Sequence, residues 1–304
     1  MSAPSVLYDA PGPKAKARNV VYTVVFGIAL AAVVWLVVSA LADKGQFDGA
    51  KWSPFLLGST WTQYLVPGLG NTLLAAGLAI VIALPIGFVF GIARLSEHAW
   101  IRVPAGALVE FFRALPVLIL MIFANEFFSR FMDVDRDVRP LAAVVTGLVL
   151  YNASVLAEVV RAGILSLPKG QTEASLALGM RKGQTMRIIL LPQAITAMLP
   201  AIVSQLVVIL KDSALGGALV GFAELFAQYR YISNNYNNLI PTLIVIGTIY
   251  IVINTLLTTF ASWLEKRLSR RGRPTVGGGM VEEQAPGMEV TGMRTGGNTG
   301  GGTL

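Results

Sequence analysis

The chain has 304 residues, 54% of them hydrophobic and only 13% charged, with a mean hydropathy of +0.65. Soluble domains carry about 25% charged residues, so this chain cannot cover a water-facing exterior, which excludes the common soluble enzyme classes. It has no cysteine and a single histidine, His98; disulfide frameworks, thiolate metal sites and His-pair chemistry are excluded too. The net charge of +7 would suggest nucleic acid in a soluble protein. Here the placement of the charges points to orientation in a membrane, with no nucleic-acid partner.

A spanning helix needs about 20 predominantly apolar residues. The first candidate is Val20 to Ala42, 23 residues without a charge. A cleavable signal peptide competes with it, but the run is longer than a typical h-region and no small-residue cleavage site clearly follows. The second lies in the uncharged stretch from Trp52 to Ala93, with the helix proper expected from Gly68. The third runs from Val103 to Phe128 and contains Glu110, Arg113 and Glu126. The fourth covers Pro140 to Val160, the fifth Ile188 to Leu210, and the sixth Leu239 to Leu264. The fold class is therefore an all-α polytopic membrane protein with six spans.

Six spans put both termini on one side, and Lys and Arg decide which. With the N-terminus inside, 16 basic residues fall on inner segments and 7 on outer ones, with Arg113 inside a span. Both termini are expected in the cytoplasm, and the chain in a bacterial cell membrane. Residues 1–19 read as a cytoplasmic tail. Residues 274–304, rich in Gly and poor in large apolar side chains, read as a disordered one.

The inner loop between the fourth and fifth spans reads RAGILSLPKGQTEASLALGMRKGQTMRIILLPQ. Pro168 and Gly170 make a turn. Thr172 is placed to cap a short helix starting at Glu173, whose charge suits a helix N-terminus, and Gly179 ends it. Such a helix can simply cap a bundle. Its small residues, Ala174 and Ser175 among them, also permit close approach to another protein's groove.

Glu173-Ala174-Ser175, with Gly179 four residues on and Ile189-Leu190-Leu191-Pro192 beyond, resembles the EAA loop of binding-protein-dependent ABC importers, E-A-A-x3-G-x9-I-x-L-P. Ser175 stands for the second Ala. Pro168-Lys169-Gly170-Gln171, Leu191-Pro192-Gln193-Ala194 and Lys211-Asp212-Ser213 are similar to segments of the polar amino acid branch. So are Arg113-Ala114-Leu115-Pro116 and the run from Asn152 through Ala157-Glu158 to Arg161. The resemblance spans residues 64–265 and leaves the first helix and the tail outside. SVLYDAPGPKAKA near the N-terminus, FRALPVLILMIFA and KDSALG resemble glutamate-uptake permeases of actinobacteria most.

That resemblance implies a type I importer core of five helices plus one added N-terminal helix. It implies a partner ATPase dimer docked on Glu173, Ala174, Ser175 and Gly179, an extracytoplasmic amino acid binding protein, and a second permease subunit, the same or a homologue. There is no Gly-Lys dipeptide, hence no G-x-x-x-x-G-K-[ST] phosphate loop. The chain is expected to be a transport subunit, not an enzyme, without a cofactor of its own; ATP would be hydrolysed by the partner.

Ionisable groups at membrane depth are costly and mark function by default. Glu110 and Arg113, three apart, can face each other, and Pro116 frees backbone carbonyls nearby. They read either as part of the translocation path, with Arg113 open to a substrate carboxylate, or as an internal ion pair. Glu158 and Arg161 repeat the spacing and read as an anchor for the loop. Asn152 lies further outward and is a pocket candidate, because an amide both donates and accepts; Asn71 either lines the path or satisfies freed backbone. Lys211-Asp212 is expected to close the fifth span at its outer side, as an interfacial pair, a gate or the rim of the substrate path; with Arg113, Lys211 is the basic side chain expected on the path of a substrate with two carboxylates. The stretch from Ser213 to Ala223, ended by Glu224, reads as a re-entrant segment. Glu126 is expected to be solvated. The alternative function is an ion-coupled secondary amino acid transporter, which has no use for an EAA-spaced loop. An intramembrane enzyme would need a catalytic constellation that is not found.

Overall fold

The computed structural model describes residues 12–269. The C-terminal tail expected from residue 274 and the start of the N-terminal tail lie outside the described residues. The fold is all-helical among them. Five helices are long and apolar enough to cross a membrane, or six if one bent pair counts as a span.

The first helix, α1 (Pro13–Asp43), begins seven residues before the apolar run and takes in much of the expected tail. Pro13 sits in its first turn, where a missing N–H costs nothing. None of its residues is buried against the rest of the chain. After a short helical linker, α2 spans Gly58–Ala93, ten residues longer at its outer end than expected. Its first turns contain a π-helical stretch, Trp61–Leu65. The linker is tied by the indole N–H groups of Trp52 and Trp61, which donate to Gln46 and Phe55 carbonyls.

The third span is not one helix. It breaks into α3 (Ala99–Ala114) and α4 (Val117–Phe131), bent by 101°. Pro116 excludes the α conformation at the residue before it, and Leu115 is accordingly extended, with φ −91° and ψ 135°. Pro116 itself is extended too. Then come α5 (Arg139–Leu165) and the loop helix α6 (Lys169–Ala177). A single helical span, α7, covers Lys182–Leu219. It opens with a π-helical turn, Thr185–Leu190, and the stretch expected to re-enter the membrane is its outer end up to Leu219. The chain closes with α8 (Gln228–Tyr236) and α9 (Leu239–Ser269).

Helix α5 is the centre of the bundle, packed by α2, α4, α7 and α3. Hydrocarbon tails are as apolar as Leu, so spanning helices associate by close van der Waals fit, which favours small residues at the contact. On α2 those residues recur every fourth position: Ala75, Ala79, Ala83, Gly87 and Gly91, all buried. They form one stripe, and its inner part faces Ala153, Leu156, Ala157 and Val160 of α5. A Cβ on Gly91 would lie 2.7 Å from Val160 Cβ and 2.8 Å from the Ala157 carbonyl oxygen. Gly91→Leu is therefore expected to destabilise the bundle by about 1–3 kcal/mol through overpacking. Gly77→Leu, on the same helix with open space around it, is the control. Thermal unfolding of both purified variants in detergent checks the pair, and equal midpoints would refute the close contact.

Along α9 the hydroxyls of Thr248, Thr255, Thr258 and Thr259 each donate to the carbonyl four residues earlier. That is how such side chains are satisfied where water is absent.

Candidate functional site

The break between α3 and α4 opens a cavity of about 410 Å³, lined by Arg113, Leu115, Val117, Tyr151 and Asp212 among others. Helix α3 ends there and α4 begins, so unpaired carbonyls of one helix and unpaired N–H groups of the other meet at its wall. The N–H end of α4 favours an anion and Arg113 adds a full positive charge, while Asp212 supplies a negative one. Tyr151 stands at the middle of α5, so Asp212 lies at mid-depth of the bundle. Its neighbour Lys211 lines a separate cavity of about 450 Å³ with Phe226, Tyr250 and Asn254. The expectation that Lys211-Asp212 closes the fifth span at the outer rim is thus corrected.

Below this cavity, toward the end that carries α6, the two ion pairs expected from local spacing prove to be one cluster. Arg94, at the C-terminus of α2, joins them. Its guanidinium lies 2.6 Å from Glu158 Oε2 and 2.8 Å from Glu110 Oε1. Glu158 also holds Arg161 at 2.5 Å. Arg113 reaches Glu110 at 3.5 Å and Glu158 at 3.7 Å while also lining the central cavity. Three arginines and two glutamates thus tie α2, α3 and α5 together. Arg94 was missed because it lies outside the apolar runs and bonds to Glu158, 64 residues away.

Asn152, expected on the path, faces α7 instead. It is fully buried; Nδ2 donates to the Leu148 carbonyl at 2.7 Å, and Oδ1 accepts from Gln205 Nε2 at 2.5 Å. Its amide does both jobs foreseen for a ligand, but within the protein. Asn71 donates to the Ala223 carbonyl at 2.8 Å and lines an outer cavity. Glu126 is exposed on α4 and paired with Arg130 at 3.1 Å.

Helix α6 starts at Lys169 after Pro168, four residues before the expected start, and Thr172 does not cap it. Pro168 takes the N-cap position, and its carbonyl accepts the Gln171 N–H at 3.1 Å. Its C-terminus is closed by two hydrogen bonds, Gly179 N–H to the Leu176 carbonyl and Met180 N–H to the Ser175 carbonyl, with Gly179 at φ +79°. This is the Schellman pattern, and it needs the left-handed residue. One face of α6 is clamped to the bundle. Ser175, 1% exposed, donates to the Thr172 carbonyl, so the Thr185 hydroxyl is the donor in the 2.9 Å bond between them. The outward face carries Glu173, Ala174, Ala177 and Leu178, all exposed. Ser175 is therefore an inward-facing clamp rather than part of the outward surface, a correction to the reading of small residues as one docking face. Beside the loop, Lys182 pairs with Glu97 and holds its carboxyl below the usual carboxylate range.

Residues 83–270 match the protein family described as the binding-protein-dependent transport system inner membrane component. The chain belongs to that family. It is 44% identical over 251 residues to the glutamate transport system permease protein GluD of Corynebacterium glutamicum, covering 82% of this chain and 92% of that one. It is 31% identical over 228 residues to the glutamate/aspartate import permease protein GltK of Escherichia coli O6:H1, covering 73% of this chain and 98% of the relative. Among solved structures, an amino acid ABC transporter with histidines superposes with a TM-score of 0.63 at 30% identity, over 68% of this chain and 95% of that one. These permeases and the all-helical bundle, with its five or six candidate spans, agree with the resemblance carried by the loop motif and its flanks. The break at Leu115-Pro116 and the charges around it fall inside the matched residues.

Proposed function

We propose that this chain is the membrane-spanning subunit of an ATP-driven amino acid importer, with glutamate as its substrate, and that it forms half of the translocation path. The observation that carries the reading is the central cavity. Arg113, Val117 at the N-terminus of α4 and Asp212 all line it. An acidic amino acid carries two carboxylates and one ammonium group, and this arrangement matches that pattern: carboxylate toward Arg113 and the helix end, ammonium toward Asp212. The printed names of the relatives GluD and GltK support glutamate.

An extracytoplasmic binding protein delivers the amino acid. ATP binding closes an ATPase dimer on the cytoplasmic side, and α6, held on the bundle by Ser175 and Thr185, passes the motion to α5 and α7. The path opens outward, takes the amino acid, and opens inward after hydrolysis. A second permease subunit, this chain again or a relative, completes it.

The test is uptake of radiolabelled glutamate into proteoliposomes that hold this subunit, its pore partner, the ATPase and the binding protein. Uptake is expected only with ATP. Arg113→Gln is expected to raise the KM for glutamate about tenfold or more, the loss of one charge-assisted contact. Uptake without ATP would establish the ion-coupled alternative instead. ATP-driven uptake of a different amino acid, but not of glutamate, would keep the mechanism and discard the substrate.

A further inference from the structure

At the outer end of the bundle, the segment 221–228 folds over the start of α2 and is fastened there. Glu224, fully buried, accepts hydrogen bonds from the N–H groups of Phe226 (2.5 Å) and Ala227 (2.6 Å) and from the Tyr250 hydroxyl (2.8 Å). Thr72 Oγ1 accepts from the Leu225 N–H at 3.0 Å while donating to the Gly68 carbonyl. Asn71 Nδ2 donates to the Ala223 carbonyl at 2.8 Å, and Gln228 Nε2 lies 3.3 Å from the carbonyl oxygens of both Ala223 and Glu224.

The fastened segment completes a cup of about 280 Å³, whose walls include Gln63, Tyr64, Asn71, Gln228 and Tyr231 and no charged side chain. The hydrogen bonds fix the direction of two of its amides. A carbonyl oxygen can only accept, so the nitrogen ends of Asn71 and Gln228 must be turned to the fastened segment. Asn71 Oδ1 and Gln228 Oε1 then have no donor among the described residues. The cup offers acceptors for which the protein supplies no hydrogens. Tyr64 and Tyr231 line it as well. Behind the wall from Ala223 to Gln228 sits the Glu224 carboxylate, which meets no cation among the described residues.

A carboxylate finds little to hold it in such a cup. An ammonium group, with three donors and no acceptor, fits its chemistry. We propose that the outer cup is a second binding site, which holds the α-ammonium group of a free amino acid at the extracytoplasmic mouth. The carboxylates then point away from the cup, and the ligand passes on to the central cavity. The proposal rests on the amino acid import reading.

The test uses the assembled importer in nanodiscs, without binding protein or nucleotide, with Arg113→Gln and Asp212→Asn introduced together to remove both charged contacts of the central cavity. Equilibrium binding of radiolabelled glutamate is expected to persist. It is expected to be displaced by the diamide of glutamate, which keeps the ammonium, and not by glutarate, which keeps only the carboxylates. Asn71→Leu, or Gln63→Leu should the first variant fail to assemble, is expected to weaken binding at least tenfold. The proposal is overturned if no binding survives the double substitution, if glutarate competes as well as the diamide, or if the cup variants bind with unchanged Kd. A variant that weakens only the docking of the binding protein would likewise overturn it and make the cup part of a protein surface. ATP-driven uptake by the wild-type importer, measured in parallel, separates these failures from a failure of the importer reading, in which no amino acid would accumulate.

Discussion

Gly179→Asp is expected to abolish ATP-driven uptake while leaving the subunit inserted and folded. Helix α6 is clamped on one face by the Ser175–Thr185 bond and bare on the other, where Leu178 is 82% exposed. An apolar side chain so placed at the end of a short helix, ahead of a left-handed turn, suits burial in a partner's cleft. A carboxylate at position 179 would have to lose its water on docking, at a cost of at least 2–3 kcal/mol unless it found a partner charge. That is a loss of thirtyfold or more in docking. The charge must be separated from the backbone effect, because Gly179 holds φ +79°. Asparagine and aspartate tolerate that region best among L residues. Gly179→Asn is therefore the control, similar in shape and uncharged, and it is expected to keep most of the uptake. Gly179→Val, β-branched, is expected to disrupt the turn itself. Uptake and co-purification of the ATPase are measured on all three. If asparagine proves as damaging as aspartate, the turn rather than the docking surface is what position 179 supplies.

The spans were legible because an apolar run of the required length has few other uses: five appear as single helical spans and the third as a bent pair. The break in the third was marked by Pro116, but its 101° bend depends on how α4 seats against α5, which no local pattern states. The ionic cluster shows the same boundary. Glu110 with Arg113 and Glu158 with Arg161 are visible as pairs three apart. Arg94, which makes them one object, bonds across 64 residues. Asp212 was misplaced for a different reason: the end of an uncharged run was equated with the edge of the membrane. Within a bundle a charge can stand at mid-depth if a cavity or a counter-charge receives it, and Arg113 and Asp212 share one. Ser175 was read as a small residue replacing alanine, which is right about its size. Its hydroxyl, however, closes a buried bond to Thr185, so the feature that distinguishes it from alanine faces inward. The four-residue recurrence of Ala75, Ala79, Ala83, Gly87 and Gly91 is present in the sequence, but only the partner surface on α5 gives it meaning.

Arg94→Met is expected to destabilise the bundle by about 2 kcal/mol, most of it through Glu158. The two legs of Arg94 are unequal. Glu158 is 25% exposed and lies 2.6 Å away, whereas Glu110 is 60% exposed at 2.8 Å. Exposed pairs are screened and contribute little, while removing one partner of a largely buried pair leaves the other charge poorly solvated. Glu158 keeps Arg161 at 2.5 Å and Arg113 at 3.7 Å, so the loss stays below that of a fully orphaned carboxylate. Arg94→Lys is expected to recover only part of it. One ammonium cannot fork to two carboxylates on separate helices as a planar guanidinium does. Double-mutant cycles read this directly in the unfolding of the purified subunit. Arg94→Met with Glu158→Gln is expected to couple by more than about 1 kcal/mol, and Arg94→Met with Glu110→Gln by less. Equal and negligible couplings would reduce the cluster to surface charge. The same variants separate an anchor from a gate. An anchor lost should lower stability and leave the ATPase rate of the assembled importer dependent on binding protein. A gate lost should raise that rate in the absence of binding protein, because the inner ends of α2, α3 and α5 would then part without being driven.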